Sequence, residues 1–416
     1  MKHLLHGTGT EGLAAAEYFR DVLQQELAVF DDHGGSIPGC ESVDRTAAER
    51  IIRSGIYLRS PGIPPHHPLV QYAQSHALLS TTPTGFWLKN HAPSGTVTVT
   101  GTKGKSSTSA LTALILRKAG LRAAAYGNIG RPPLSAALPE EVHPVLEVSS
   151  YMMHDLPKAD HIHLVTNLYR DHLDWHGGAA PYHAAKLRPF TRPDPAKGFA
   201  PRSVIDAHAL PASVRAIEDA VRDTGDALHV GDEIIDTGDE MQGFRRGPLR
   251  LALTAAAAVA TSFLSSKDVA KAAGAAAAEW KGLPSRQQII PSIDGRTWVD
   301  DALSTIPESA IAALQRFASR PVVVLLGGGD RQQDFSPLEA YLAEHGTVRA
   351  IGFGPTGRRL RNLTKKVESL QDAITSAEEM CPAGGVILFS PAAPSSPPFK
   401  DYRERSALFA ERARTA

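Results

Sequence analysis

Residues 96–107 read TVTVTGTKGKSS, and this stretch decides the architecture. The β-branched residues alternating over Thr96–Thr100 predict a strand, because branched side chains pack well on a pleated surface. The turn Gly101-Thr102-Lys103-Gly104 follows, and Lys105-Ser106-Ser107 opens a helix expected to run through Ala119 and stop at Gly120. Backbone N–H groups at such a helix N-terminus cradle phosphate. The Lys105 ammonium reaches the outer phosphates, and the Ser106 hydroxyl suits magnesium. The strict phosphate-loop pattern would need glycine at position 99, which is Val99. The shortened loop still holds lysine and hydroxyl between a strand and a helix, so ATP is the expected ligand of Gly101 to Ser107.

Working outward, strand-like segments recur. KHLLH (2–6) runs into Gly7-Thr8-Gly9-Thr10-Glu11-Gly12, a helical pattern over Leu13–Leu27 and a second strand, AVFDD (28–32). Asp31 lies nineteen residues after Gly12, as in dinucleotide-binding folds. Tight strand-to-helix turns need glycine whatever they bind. The fingerprint alone therefore leaves a nucleotide site, an NAD site and a plain structural turn open. IYLRS (56–60) precedes the turn Ser60–Pro65, and a boundary falls near His91–Gly95. Beyond the loop, VLEV (145–148) and HLVTN (163–167) read as strands, residues 191–250 show weak periodicity, and the alanine-rich 251–278 reads as packed helix. A second boundary near Gly282-Leu283-Pro284 precedes four buried-strand patterns: TWVDD (297–301), VVVLLGGGD (322–330), VRAIGFG (348–354) and GVILFS (385–390). Strands alternating with helices throughout predict parallel α/β sheets.

At 416 residues the chain exceeds one ordinary core. The expected division is 1–92, 93–282 and 283–416. Lys plus Arg and Asp plus Glu both number 44, which leaves no general basic field for nucleic acid. Cys40 and Cys381 are far apart, without disulfide or metal-type spacing. The opening MKHLLHGTGTEG lacks a signal-peptide apolar stretch and no long apolar run occurs, so a cytoplasmic chain without a membrane partner is expected. Glu147 ends an apolar strand, where a carboxylate is costly to bury unless it has a task. His172 and Lys186, taken alone, read as solvated residues. His161, His163 and His176 stay structural or unassigned, and Trp175, Trp280 and Trp298 read as packing.

The loop T-G-T-x-G-K-S resembles that of the Mur ligase superfamily. GNIGRP (127–132), LEVSSYMMHDL (146–156) and TNLYRDHLDWHGGAAPYHAAK (166–186) resemble that family's G-N-I-G, E-x-S-S-[FY] and N-x-x-x-D-H-L-D-x-H…Y…K segments. LPSR (283–286), GGGDRQQDFSPL (327–338) and SPAAPSSPPFKDYRERSALF (390–409) resemble the third domain of its glutamate-adding member, so the likeness spans about residues 7 to 409. It implies a Rossmann-like N-terminal domain, a central phosphate-loop ATPase domain and a Rossmann-like C-terminal domain. It also implies a monomer that joins glutamate to UDP-N-acetylmuramoyl-L-alanine through an acyl phosphate, using ATP and magnesium, in peptidoglycan precursor synthesis.

The resemblance further assigns residues. Glu147, Ser106 and a carbamylated Lys186 would support magnesium, while Lys105, Asn128 and His172 would serve the reacting phosphate or substrate. Thr8, Gly9, Asp31, Ser60 and Asn128 would hold the UDP-linked substrate, Arg286 and Asp301 would contact ATP, and Thr305, Arg331 and Ser395 would receive the amino acid. An arginine beside two hydroxyls suits a dicarboxylate.

Two segments depart from the pattern. Where the usual glutamate ligase has N-D-S-K-A-T-N-P, this chain has Asp300–Pro307 with Leu303 in place of the lysine. With GTKGKSS and LDWHGG, that favours the variant adding L-glutamate over the D-glutamate enzyme. Where the family has G-x-H-N-x-x-N near adenine, Gly247–Leu253 lacks both asparagines. A relative ligating a non-wall substrate and a non-catalytic ATP-binding relative therefore remain alternatives. An NAD dehydrogenase would leave the phosphate loop without a role.

Overall fold

The computed structural model describes residues 2–135, 142–158, 161–237, 244, 247–330 and 332–416. The chain divides into two compact units, Met1–Glu279 and Trp280–Ala416. Among the described residues, three mainly parallel sheets and one small antiparallel sheet account for the strands, so the mixed α/β expectation is met.

In the first unit, a five-stranded sheet has the order Glu41–Ser42, Glu26–Phe30, Lys2–His6, Ile56–Arg59, Leu79–Thr81. Every pairing is parallel, with Leu4 opposite both Ala28 and Tyr57. The helix after the first strand spans Thr10–Asp21 and so ends well before Leu27. Gln24 turns the chain at φ 52°, and Glu26 already pairs with Lys2. The apolar spacing that suggested a longer helix is therefore shared with the following strand. That strand lies two residues earlier than AVFDD implies, which leaves Asp31 and Asp32 in the loop beyond its end.

A six-stranded parallel sheet follows, ordered Val214–Ala216, Gly198–Ala200, Ile162–Val165, Val97–Thr100, His143–Glu147, Ala123–Gly127. The strand that launches the loop lies inside this sheet, and all four of its residues are buried. Its threonines are partnered: Thr98 Oγ1 lies 2.7 Å from His163 Nδ1, and Thr100 Oγ1 donates to the Val148 carbonyl at 2.7 Å. The helix Lys105–Lys118 ends as expected at Ala119 and Gly120, the latter at φ +88°. Against it pack Pro248–Ala260 and Ser266–Glu279, whose alanines permit close approach. The weakly patterned 191–250 supplies the last two, three-residue strands at one side of this six-stranded sheet and a small antiparallel sheet, Arg222–Asp223, Leu228–Val230 and Glu233–Ile235. Strands this short carry too few residues for alternation to show.

The expected boundary near residues 91–95 separates the two large sheets but not their packing. Phe19, Phe86 and Trp87 share one core with Leu146, Val148, Met152 and Met153. In the second unit the order is Gln288–Ile290, Thr297–Asp300, Val386–Phe389, Val322–Gly327, Val348–Phe353, Lys365–Val367, with only the first strand antiparallel. Val322–Gly327 is buried throughout, which explains its unbroken apolar run. Among the described residues no helix is long and apolar enough to cross a membrane.

Candidate active site

The phosphate loop leaves the interior of the central sheet at Gly101, whose φ of +144° suits glycine, and a Cβ there would lie 2.0 Å from Thr166 Oγ1. Gly104, in the left-handed region at φ 80°, caps the helix without any side-chain bond, so the first-turn N–H groups keep the free end that binds anions. Asn167 lashes the loop down. Its side chain accepts from Lys103 N at 2.9 Å and donates to Lys103 O at 3.0 Å, while its carbonyl takes Thr102 N–H at 3.0 Å. The Thr102 hydroxyl is spent on the protein, accepting from Tyr169 N at 2.9 Å and from Tyr182 Oη at 3.0 Å.

Two ammonium groups converge on this loop. Lys105 Nζ donates to the Gly101 and Thr102 carbonyls at 3.1 and 3.0 Å. Lys186, on helix Ala179–Leu187 and only 1% exposed, donates to the Gly101 carbonyl at 2.8 Å and to Thr100 Oγ1 at 3.2 Å. Burial first, and then the neighbouring Lys105 charge, push the Lys186 ammonium down to about 6, although Asp171 and Glu147 pull the other way.

Glu147 stands opposite Val99 on the adjacent strand, which sets it beside the loop. It is 1% exposed. Its Oε1 accepts from Asn128 Nδ2 at 3.0 Å, and its Oε2 is buried without a hydrogen-bond partner. Asn128 is thus placed on Glu147. His172, at φ 49°, meets the Tyr151 hydroxyl through Nδ1 at 2.8 Å. Burial lowers its pKa and the charges of Lys105, Lys186 and Lys103 add to that, against Asp171.

At the first sheet, Gly7 (φ +93°) turns against Ser60, whose hydroxyl is buried and unpartnered. Gly9 caps helix Thr10–Asp21 with no side-chain bond. Asp31 accepts from Thr8 Oγ1 at 3.1 Å, His33 N at 2.9 Å and Gly35 N at 3.1 Å. Burial works against its ionisation, but these three donors outweigh it and hold the pKa below the ordinary aspartate value. A Cβ on Gly7 would lie 2.7 Å from Ser60 Oγ. Gly7→Ala is therefore expected to destabilise the protein by about 2 kcal/mol, read as a lower Tm in thermal unfolding. An unchanged Tm would show that the turn yields freely.

His6, Asp32 and His67 also cluster there. His67 Nδ1 accepts the Leu69 N–H at 3.1 Å, which leaves the proton on Nε2 facing Asp32 at 3.2 Å. His6 Nε2 meets the other Asp32 oxygen at 2.8 Å. These bonds make a clamp on Asp32 and leave His67 no lone pair for an ion.

In the second unit, Asp301 is buried and accepts from Ser390 Oγ at 2.7 Å and Gln287 N at 3.1 Å. Burial raises its pKa to about 7, against those donors and with help from Asp300. Arg286 is exposed, and Thr305 and Ser395 are half-buried on loops. The Thr305 carbonyl accepts from Gln333 Nε2 at 2.8 Å. Arg331 lies outside the described residues. Where the adenine-side asparagines were expected, Arg250 forms a two-point ion pair with Asp223 at 2.7 and 2.6 Å, and Leu253 is fully buried.

Sequence reasoning missed Asn167, Tyr151, Arg59 and Trp175 as parts of this centre. Arg59 did carry a signal, a charge ending an apolar strand as Glu147 does.

The description "Mur ligase middle domain" matches residues 99–207. A UDP-N-acetylmuramoyl-L-alanine--L-glutamate ligase of a Micromonospora species is 32% identical over 98% of this chain and 95% of that protein. Its namesake from Xanthomonas euvesicatoria pv. vesicatoria is 33% identical over 98% and 94%. Among solved structures, MurF ligase from Thermotoga maritima in complex with ADP aligns with a TM-score of 0.58 at 14% identity, covering 99% of this chain and 94% of that one. UDP-N-acetylmuramate-alanine ligase MurC from the same organism gives 0.57 at 16% identity, covering 99% of each. The structural likenesses carry the fold, and the nearly full-length sequence identity carries the kinship: the chain belongs to the Mur ligase family.

Proposed function

We propose that this chain is an ATP-dependent ligase of the cytoplasm that joins L-glutamate to UDP-N-acetylmuramoyl-L-alanine through an acyl phosphate. The observation that carries the reading is the meeting of Lys105, Lys186 and Glu147 around one glycine-rich loop, in a chain related over its whole length to L-glutamate-adding ligases. We take residues 1–92 as the UDP-side domain, 93–282 as the ATPase domain and 283–416 as the amino-acid-side domain.

The loop N–H groups and Lys105 would hold the nucleotide phosphates and offset charge on the transferred phosphoryl group. The residues present fit magnesium. Glu147 Oε2 is a buried carboxylate oxygen without a partner, and Ser106 is buried at the helix start. A bound magnesium would neutralise phosphate charge there, held by Ser106, Glu147 and a carbamate on Lys186. An amine whose pKa is pushed down to about 6 is mostly unprotonated at pH 7, and only that form adds carbon dioxide. The N–C bond forms as one C–O π bond of carbon dioxide opens, one proton leaves the nitrogen, and a neutral amine becomes an anion. Asn128 orients Glu147, and Tyr151 orients His172. Gly7, Thr8, Gly9, Asp31 and Ser60 would receive the UDP group. Arg286 and Asp301 would reach ATP, and Thr305, Arg331 and Ser395 would take the amino acid.

The test is phosphate release with ATP, magnesium and UDP-N-acetylmuramoyl-L-alanine, comparing L-glutamate, D-glutamate and no amino acid. Stimulation by L-glutamate alone is expected. Stimulation by D-glutamate instead would overturn the stereochemical assignment. No stimulation by either, from folded protein that binds ATP, would overturn the substrate.

A further inference from the structure

Arg59 ends the strand Ile56–Arg59 and is fully buried. Its Nε donates to Asp155 at 2.7 Å, and Nη2 completes the ion pair at 2.6 Å. Nη1 donates to the carbonyls of Pro61, at 3.0 Å, and Ile63, while Nη2 also donates to the Tyr151 carbonyl at 2.9 Å. One guanidinium thus shapes the Ser60–Ile63 turn and fastens it to the segment just after Glu147.

Trp175 grips the same turn from the other side. Its indole N–H donates to the Gly62 carbonyl at 3.1 Å, across 113 residues of sequence. Its ring stacks on Tyr151 with centroids 4.4 Å apart and planes at 29°, and the Arg59 guanidinium lies 5.5 Å from its centroid. The Tyr151 hydroxyl then meets His172 at 2.8 Å. An unbroken chain of touching groups therefore leads from the turn that presents Ser60 to the His172 imidazole, whose ring lies 6.3 Å from that of Tyr182, the residue that donates to Thr102 in the phosphate loop. Trp175 itself stands on a four-residue helix, Leu173–His176, none of whose residues is buried. Core packing does not explain where this indole points.

We infer that Trp175 is a positioning residue that couples occupancy of the Gly7–Ser60 turn by the UDP-linked substrate to the placement of His172 at the phosphate loop. This rests on reading that turn as the UDP site. The unpartnered Ser60 hydroxyl is the input, since a ligand oxygen bonding to it loads the turn whose Gly62 carbonyl holds the indole. Tyr151 is the output, because it shares a face with the indole and a hydrogen bond with His172.

Trp175→Phe keeps a stacked ring and removes the N–H, whereas Trp175→Ala removes both. Glutamate-dependent turnover is expected to fall in kcat about fivefold for phenylalanine, the worth of one hydrogen bond. For alanine the fall is about thirtyfold, because the stacked ring and its cation–π attraction to Arg59 go too. KM for ATP should stay constant and KM for the UDP substrate should rise, a split that a merely structural role would not produce. UDP alone, without ATP, should change the tryptophan emission of the wild-type chain. The change should vanish in Trp175→Phe even though equilibrium dialysis shows UDP still bound. Bound UDP with constant emission, or native kcat in both variants, overturns the coupling. UDP that fails to bind in dialysis overturns the reading of the turn, and the coupling with it.

Discussion

Lys186→Met is expected to lower glutamate-dependent phosphate release about a thousandfold and at the same time to raise the melting temperature. Both effects follow from where the ammonium sits. The side chain is 1% exposed, Lys105 donates to the same Gly101 carbonyl, and burial holds the amine at about 6 against 10.5 for an ordinary lysine. Between those two pH values the unfolded chain binds a proton that the folded chain does not, so stability rises with pH across the window. The destabilisation is absent above about pH 10.5, grows as pH falls, and is complete below about 6. Methionine removes it, with a gain of about 1–4 kcal/mol where a buried charge gives way to an apolar side chain. Lost bonds to Thr100 and Gly101 offset part of that gain. Thermal unfolding in bicarbonate-free buffer should therefore show the larger rise in Tm at pH 6 and the smaller at pH 9. A Tm that is lower in the variant at both pH values, or activity within tenfold of native, would make Lys186 an ordinary structural lysine.

That result bears on how much could be read before the structure. The strand and helix flanking Gly101–Ser107 are local facts, fixed by branched residues before the turn and a glycine after the helix, and both lie where the pattern put them. Glu147 was legible for a related reason, since a charge ending an apolar strand breaks a local rule. Lys186 was not legible from its own neighbourhood. Its burial is created when helix Ala179–Leu187 meets a loop more than eighty residues earlier in the chain, and only the motif pointed to it. Trp175 shows the limit most clearly: nothing within its four-residue helix says that its N–H will seek the Gly62 carbonyl. The failure at Leu27 is of another kind. An apolar residue at helical spacing also fitted the next strand, and pairing with His3 decided between them.

Glu147→Gln should be as damaging to turnover as Lys186→Met, and nearly silent in the fold well above the pH at which Lys186 titrates. The amide oxygen can keep the bond from Asn128 Nδ2, and the new NH2 replaces an oxygen that has no partner. Removing a buried, half-satisfied negative charge does not weaken the core. It does remove the anion that magnesium would need, so kcat is expected to fall about a thousandfold and the magnesium concentration for half-maximal rate to rise. Superimposable magnesium curves in variant and native protein would leave Glu147 merely buried. The double variant is the sharper measurement. If Glu147 and the Lys186 carbamate support one ion, removing either disables the same assembly, and the second substitution should add almost nothing to the first. If each acts alone, the two losses multiply to about a millionfold. Glu147 also acts on Lys186 directly, because its charge is one of the two that raise the lysine's pKa against burial. In Glu147→Gln the amine should therefore titrate still lower, and the destabilisation that Lys186 imposes at pH 6 should grow. Lys186→Met would then raise Tm more in the Glu147→Gln background than in the native one. Non-additive rates together with that larger gain in Tm would identify a single centre built from Glu147 and Lys186, with the lysine placed for the substrate at the expense of the fold.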